Sequence, residues 1–437
     1  MGVLTQSGPL AVLLRVIMAP AFWLEQARGR RRLGLLLLYL MLALVAGFFF
    51  WWATSLNGLP DVGEPTGAQT LPSGKIPDDQ NAFVLYRQAQ KLLKPRTVDV
   101  DPQKLWLVVR KGWASADPPY HAWVAKNREA LAVWRQGTER PLAVPPPPER
   151  VNEADLSTFA NMALLEGSRF EAEGDMSQAW AWYRAVSRSS RHASMRTGLY
   201  GRDAGVAIHS LACDRITQWA AEPTVDAALL RQALEEVQAI DAMTPRNSEV
   251  LGVEYRDILH RLDPPERVLA HSMDRDVMWF DHVHLFVMRE PERTRRILRL
   301  IFANWQAQVD KPRRSRPPSM PLVPGPSSAQ FTMFASDPSA PPAARALEPA
   351  AMGRWFTSWT LAWRSVVPID LLWSQIDQER VSQGVLVVSL ADQLYLREHG
   401  KTAPSPEALV GPYLKKLPDG YEEPGKAEPD PTASPVP

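Results

Sequence analysis

The sequence predicts a mainly α-helical protein with a single N-terminal transmembrane helix, an α-helical ectodomain and Pro-rich disordered linkers. Three observations support this fold class. One long run near the N-terminus is apolar and uncharged, and apolar residues beyond it recur mostly at helical spacing. The 40 prolines cluster between the helical stretches, as is typical of linkers. At 437 residues the chain is long enough for two or three domains.

The composition excludes several classes of site and partner. Lys and Arg number 49 and nearly balance 48 Asp and Glu, so no overall charge indicates a nucleic-acid partner. Cys213 is the single cysteine, which excludes an intrachain disulfide and a Cys-based metal site. The 16 tryptophans supply large apolar side chains from which a core can be built.

Residues 33–53 are predicted to cross a membrane. The run carries no charge, and at ~1.5 Å per residue a helix of this length spans a hydrocarbon core of ~30 Å. Trp51 and Trp52 fit an interfacial aromatic belt at its far end. Four positive charges immediately precede the run: Arg28, Arg30, Arg31 and Arg32. By the positive-inside rule, residues 1–32 are cytoplasmic and the bulk of the chain is periplasmic, as for a single-pass protein of a bacterial inner membrane.

Two alternatives concern this N-terminal region. A cleaved signal peptide would need small residues at its cleavage site, where this chain has bulky residues 48–52, so an uncleaved signal anchor is favoured. Residues 9–24 are also apolar but are interrupted by Arg15 and Pro20. They are interpreted as a helix in the cytoplasmic interface; the alternative is a hairpin with the main span, which would place the N-terminus outside.

A spacer over 54–78 and a helical domain over 79–310 are predicted next. Asp79 is the expected N-cap of a helix over 80–93, because Asp accepts hydrogen bonds from the first helical N–H groups. A second helix is expected over 121–137 and should end at Gly137. Further helices are expected over three stretches: 196–220, 224–243 and 246–262.

One stretch in this domain resembles a tetratricopeptide (TPR) repeat. The matching positions are Gly167, Phe170, Gly174, Asp175, Ala179 and Tyr183. Gly174 and Asp175 would turn the chain, while Gly167 and Ala179 would let two helices approach closely around the two aromatic rings. The match departs from the family pattern at Ala163 and Glu166 in the first helix, and at Arg191, where the repeat ends in Pro. The resemblance implies a TPR-like array; the alternative is an ordinary helical bundle with one TPR-like turn.

The C-terminal third is predicted to hold a Pro-rich linker over 311–350, a helical segment over 351–420 and a disordered tail over 421–437. The linker is assigned from its Pro, Ser, Ala and Gly content. A long helix is expected to begin after Pro368 and to stop at Gly400. Trp355, Trp359 and Trp363 lie at i, i+4, i+8, a stripe interpreted as core, with membrane contact as the alternative.

The end of this segment resembles the major pseudopilins of type II secretion (general secretion protein G-like). Tyr395, His399 and Gly400 are similar to the end of that family's helix, and the stretches 404–409 and 413–419 are similar to its following turn. The family's N-terminal span, peptidase site and closing hairpin are not attached here. Neither calcium binding nor pilus assembly is therefore carried over, and the resemblance implies a helix-and-turn packing module.

Candidate chemistry is sparse. On a strand, His282 and His284 would point to one face as paired metal ligands, with Asp276 or His271 as a third; the alternative is an aromatic segment with His at its polar edge. Cys213 could pair with His209 as a nucleophile, although a core cysteine is the commoner outcome. No cofactor is expected.

The function hypotheses follow from this architecture. The first is a membrane-anchored, non-enzymatic scaffold of the bacterial envelope, whose partners are the lipid bilayer and other proteins. The second is an accessory component of a type II secretion or pilus-like system, and the third is a membrane-bound metal-dependent hydrolase.

Overall fold

The computed structural model describes residues 28–54, 56, 59–65, 76–96, 100–144, 153–263, 278–321, 332–335, 370–419 and 421. These residues are mainly α-helical, as predicted. Several predictions lie outside the described residues: the interfacial helix over 9–24, the tryptophan stripe at 355–363, Asp276 and His271, and all of the tail after Tyr421.

The described helices, in chain order, are α1 Arg30–Thr54, α2 Ala82–Leu92, α3 Pro102–Lys111, α4 Pro118–Lys126, α5 Arg128–Thr138, α6 Glu153–Ala172, α7 Met176–Ser194, α8 Leu199–Ala221, α9 Ala227–Asp241, α10 Asn247–Arg261, α11 Trp279–Val287, α12 Glu290–Val309 and α13 Asp370–His399. Short 3-10 turns occur at Trp113–Ser115, Arg313–Ser315 and Pro406–Leu409. Two antiparallel strands, β1 Ser319–Pro321 and β2 Thr332–Phe334, form the sheet of the described region.

Helix α1 coincides with the predicted span. It is long and apolar enough to cross a membrane, with a mean hydropathy of 2.6 in its most apolar window, and none of that window is buried against the rest of the protein. A helix that is apolar all round and has no buried residue is unstable in water but suited to lipid. Among the described residues it is the one helix that meets these criteria.

Helices α6 and α7 form the hairpin that the TPR-like positions predict. Gly174 turns the chain with φ +84, and Asp175 caps α7 by accepting a hydrogen bond from Gln178 N at 3.0 Å. A Cβ on Gly167 would lie 2.5 Å from Cε1 of Tyr183, so only glycine lets the two helices pack this closely. Ala179 and Tyr183 are fully buried, and Phe170 packs against the core edge.

Two hydrophobic cores organise the chain. The first lies among α2–α9 and includes the fully buried indoles of Trp123, Trp134 and Trp219. The second is built mainly by α10 and α12, around Tyr255 and Trp305. Because α8 contributes its first turns to the second core and its later turns to the first, the two cores are continuous through this helix.

The start of the helical domain differs from the prediction in three details. Asn81, not Asp79, is the N-cap of α2; its side chain accepts from Phe83 N at 3.1 Å. The expected helix over 121–137 is two helices, broken at Asn127, whose side-chain oxygen accepts from Lys94 N at 2.7 Å. Helix α5 ends at Thr138, one residue after the predicted stop at Gly137, and a Cβ on Gly137 would lie 2.9 Å from the ring of Tyr86, so this glycine also permits close packing.

The predicted disordered linker over 311–350 is partly folded. Of its residues, 311–321 and 332–335 are described, and they include both strands. Strand β2 is pinned to α12: Asn304 Nδ2 donates to Phe334 O and Trp305 Nε1 donates to Thr332 O, each at 2.9 Å. The expectation of disorder was wrong for this part, since the side chains of β2 are buried in the second core.

The predicted spacer over 54–78 is also partly folded. Leu56 and Leu59 are buried in the second core, with 3% and 1% of their surface exposed. Composition alone suggested a spacer because Gly, Pro and Asp dominate the stretch, but two leucines are enough to fix it on α12.

Candidate functional site on the C-terminal helix

Helix α13 joins the two cores. Trp373 and Ile376, in its first turns, are buried in the second core, whereas Leu390 and Leu394 are buried in the first. The helix and its Gly400 stop (φ +70) match the prediction, and the short helix after it begins at Pro406. It packs against α8 and α9, so residues 370–419 belong to the body of the protein rather than to a separate module.

A buried ionic centre, defined by Arg191, Arg202 and Glu379, lies between the two core-facing parts of α13. The carboxylate of Glu379 accepts hydrogen bonds from both guanidinium groups. All three side chains are almost fully enclosed, with 1% of Arg191, 2% of Arg202 and 4% of Glu379 exposed. Asp241 accepts a hydrogen bond from Arg191 at 3.2 Å, and Asn247 accepts one from Arg202 at 3.1 Å. The carboxylates of Glu379 and Asp241 therefore balance the charges of the two arginines.

The electrostatics keep this centre charged. Burial by itself would raise the pKa of Glu379, but Arg202 and Arg191 outweigh it and lower the pKa to about 2. A buried charge is tolerated only when it is paired and hydrogen-bonded, which the bridging carboxylate achieves for both arginines. The centre therefore locks α13 onto α7 and α8 at one register.

Cys213 and His209 lie beside the ionic centre. The sulfur lies 3.2 Å from His209 Nε2, which in turn lies 3.4 Å from an Arg191 nitrogen. Burial and, to a smaller extent, the nearby Arg191 cation lower the pKa of His209 to about 3. Burial likewise raises the pKa of the Cys213 thiol. A neutral imidazole beside a protonated, enclosed thiol is the arrangement of a core cysteine, and a thiolate nucleophile would need the opposite shifts.

We expect Cys213 to resist alkylation in the native protein. With the thiol buried and protonated, iodoacetamide at pH 8 should modify it at a small fraction of the rate seen in denaturant, because the thiolate is the reacting species. Mass spectrometry of timed samples measures this. The same protein in urea is the control, and rapid native alkylation would contradict the buried geometry.

Two cavities lie along the outer side of α13 and share Tyr421. One, of about 450 Å³, is lined by α13 from Val385 to Asp392 and by the loop at 403–409. The other, of about 510 Å³, is lined by α13 from Ser374 to Val381 and by the turn at 310–314. The backbone of Tyr421 crosses α13 at Gly384, where a Cβ would lie 3.2 Å from Tyr421 Cα. Together they form what we call the α13 groove, ~27 Å long at ~1.5 Å per residue.

Both ends of the groove combine polar and apolar side chains. The cavity near Ser374 combines basic and acidic side chains from Arg313, Arg314, Arg380, Asp310 and Asp377. Asp377 is held there by Arg316, whose two nitrogens donate to its two oxygens at 2.9 and 2.8 Å. The other cavity is lined by valine, proline and leucine side chains together with the polar side chains of Ser389, Asp392 and Glu407. Such a surface suits a polypeptide segment with both charged and apolar residues.

The two candidate metal ligands do not share a face. Residues 279–287 form a helix rather than the predicted strand, so the backbone positions of His282 and His284 are ~200° apart around its axis. His282 is exposed. No group of three or more His, Cys, Asp or Glu that could hold a metal occurs within the described ranges, which do not include Asp276.

The membrane-related residues lie at the two ends of α1. Arg30, Arg31 and Arg32 form its exposed first turn and Arg28 precedes it, while Trp51 and Trp52 occupy the last turn. This places positive charge at one end of the span and indoles at the other, the distribution on which the topology prediction depends.

Sequence reasoning missed the ionic centre. One signal was present: Arg191 occupies the position where the TPR pattern ends in Pro, in a stretch of small residues whose neighbours are buried. Glu379 gave a similar signal, since it lies on the apolar side of α13 between Ile376 and Leu386. Neither residue indicates its partner, because the pair is separated by 188 positions in the chain.

Comparisons with protein-family models, with curated proteins and with solved structures found no match. The TPR-like and pseudopilin-like resemblances therefore stay predictions, and the functional argument depends on the structure of this chain.

Proposed function

We propose that the protein is a membrane-anchored, non-enzymatic helical scaffold of the bacterial envelope that binds a protein partner in the α13 groove. The observation that carries the proposal is the junction between α1 and the helical body. A candidate span with no buried residue passes directly into a segment that is packed into the second core.

The junction is built from both apolar and charged contacts. Leu56 and Leu59 are buried, and Arg296 donates to their carbonyl oxygens at 3.4 and 3.2 Å. Immediately after them, Arg299 pairs with Asp61 at 3.0 Å and with Glu64 at 2.5 Å. These contacts tie the chain leaving α1 to α12 over about one turn of that helix. A body attached in this way keeps a defined position relative to the membrane, which is what a scaffold requires.

The groove supplies the binding surface. Each of its two cavities follows α13 for about two turns, ~11 Å at ~1.5 Å per residue, which matches about three residues of extended polypeptide on each side of Tyr421. Its floor is α13, which is locked in place by the ionic centre and both cores, so binding needs little rearrangement of the protein. A peptide carrying both charged and apolar residues fits the two cavities.

Membrane attachment and topology are tested first. The full chain should stay in the membrane fraction after alkaline carbonate extraction, and alkaline phosphatase fused after Pro437 should be active, since that enzyme needs the oxidising periplasm. A fusion that works only when a cytoplasmic reporter replaces the phosphatase would overturn the orientation, and complete extraction by carbonate would overturn the anchor.

The partner is tested by photocrosslinking in intact membranes. A benzophenone amino acid at Gln378 or Ser405, one exposed position in each cavity, should capture the same protein, whereas the exposed control Ala239 on α9 should not. Adding Ser389→Trp, which fills the cavity between Val385 and Asp392, should reduce capture at Ser405. If both groove positions give the same products as Ala239, the groove is not a binding site.

The secretion-accessory alternative is favoured by one local observation. The long helix ending at Gly400 and the short helix at Pro406–Leu409 have the order that the pseudopilin resemblance implies. Recovery of secretion-pilus subunits in the crosslinked products would support this alternative, and their consistent absence would count against it.

A further inference from the structure

Helix α11 exposes an apolar face that the second core does not use. Trp279, Val283 and Phe286 are 75%, 49% and 56% exposed, and Met278, just before the helix, is 49% exposed. The three helical positions follow i, i+4, i+7 and so lie on one side, while Leu285 on another side is buried in the second core. A cluster of large exposed apolar side chains on one short helix marks a contact surface.

The position of α11 indicates what this face contacts. The ring of Phe286 stacks on Trp52, with ring centroids 5.4 Å apart, and the Trp52 indole nitrogen donates to Phe286 O at 2.9 Å. Trp51 and Trp52 close the last turn of α1, and no charge occurs between Arg32 and Asp61. Indoles at the end of such a span lie at the boundary between acyl chains and headgroups. Helix α11 is therefore held at the depth of that boundary.

Arg289 completes the arrangement. Its guanidinium lies over the Trp52 ring, 4.8 Å from the centroid, and donates to Trp52 O at 3.2 Å. It follows α11 directly, at the turn into α12, where φ is +51. A cation beside interfacial aromatic rings is suited to the phosphates of lipid headgroups, while the rings and Val283 suit the outer part of the acyl region.

We propose that α11 lies in the interface of the bilayer that α1 crosses, with Trp279, Val283 and Phe286 in contact with lipid. The partner is the lipid surface itself, at the end of α1 marked by Trp51 and Trp52. The inference rests on the proposed function only in requiring that α1 spans the membrane. It adds a second membrane contact that fixes the tilt of the helical body. Helix α11, which carries the candidate metal ligands His282 and His284, then has a different role, with His282 at the polar edge of the lipid-facing side.

The test uses the full chain reconstituted in vesicles of phosphatidylcholine and phosphatidylglycerol. In a Cys213→Ala background, single cysteines are introduced by Val283→Cys on α11, Leu42→Cys in α1 and Ala239→Cys on α9, and each is labelled with an environment-sensitive fluorophore. Lipids carrying a nitroxide on the acyl chain, near the headgroup, are then added as quenchers. The label at 283 should lose emission as strongly as an interfacial probe does, whereas the label at 239 should keep its emission.

The labels at 42 and 283 distinguish failure of the α11 lipid contact from failure of the membrane anchor. Quenching at 42 together with unquenched emission at 283 would overturn the lipid contact of α11 and leave the anchor intact. Unquenched emission at both 42 and 283 would overturn the anchor and the contact together. No other protein is present in the vesicles. If the exposed face of α11 binds a protein partner or a second copy and stays away from lipid, the label at 42 should be quenched and the label at 283 should not. Met278→Cys, at the exposed residue just before α11, checks that the result does not depend on one substitution.

Discussion

Replacing Glu379 by Gln should lower the free energy of unfolding by about 3–5 kcal/mol, which is the typical cost of removing one partner from a buried ion pair. The substitution leaves two enclosed guanidinium groups without their bridging carboxylate, and Asp241 can reach only one of them. The amide is close to isosteric with the carboxylate, so the loss measures charge and not volume. Urea unfolding of the full chain in detergent micelles, followed by tryptophan fluorescence, gives the value.

Glu398→Gln is the matched control on the same helix. Glu398 pairs with Arg231, but that guanidinium is 53% exposed. A surface pair of this kind contributes less than about 1 kcal/mol. If Glu379→Gln costs no more than Glu398→Gln, the ionic centre does not stabilise the junction of the two cores.

A triple replacement tests the cause of the loss. With Arg191→Met, Arg202→Met and Glu379→Leu together, no buried charge is left unpaired, and much of the stability lost in Glu379→Gln should return. A triple variant as unstable as Glu379→Gln would show that the hydrogen-bonding geometry, rather than the orphaned charges, is what the structure needs.

Acidification should destabilise the protein well before its exposed carboxylates are protonated. Burial lowers the pKa of both His192 and His209 from 6.5 to about 3. Below pH 6.5 the unfolded chain therefore binds two protons that the native state does not, and each histidine costs up to ~1.4 kcal/mol per pH unit until about pH 3. Below about pH 4.5, Glu379 adds to the loss in the same direction, since its stabilising contribution is lost as pH falls toward about 2.

Urea unfolding of the full chain at a series of pH values between 7 and 4 measures this dependence. His209→Gln should give a shallower slope than the parent, because one of the two protons is no longer taken up on unfolding. His399→Gln, at an exposed position at the end of α13, is the control and should keep the parental profile. Stability that is constant from pH 7 to 5 would contradict the burial of the two imidazoles.

Local patterns predicted much of the helical structure. The uncharged run at 33–53, the turn at Gly174 and the stop at Gly400 each depend on a few adjacent residues whose chemistry has one common structural outcome. The helices over 196–262 were placed within a few residues of their observed ends for the same reason. One error occurred where a distant group changed a local preference: the expected helix over 121–137 is broken at Asn127, whose side-chain oxygen accepts a hydrogen bond from Lys94 N.

The candidate site shows the same division more sharply. The sequence by itself determined that one helix is suited to a membrane, that the rest is mainly helical and that a long helix after Pro368 stops at Gly400. Only the tertiary structure decided that parts of the supposed spacer and linker are packed into a core, that His282 and His284 lie on a helix, and that Glu379 bridges two arginines. The physical reason is that an unpaired buried charge or an exposed leucine side chain costs up to several kcal/mol. Whether that cost arises depends on contacts between segments that are distant in the sequence. A sequence does not show whether a given Lys, Arg, Asp or Glu is solvated or buried. Glu379 is buried because the fold brings it into contact with Arg191.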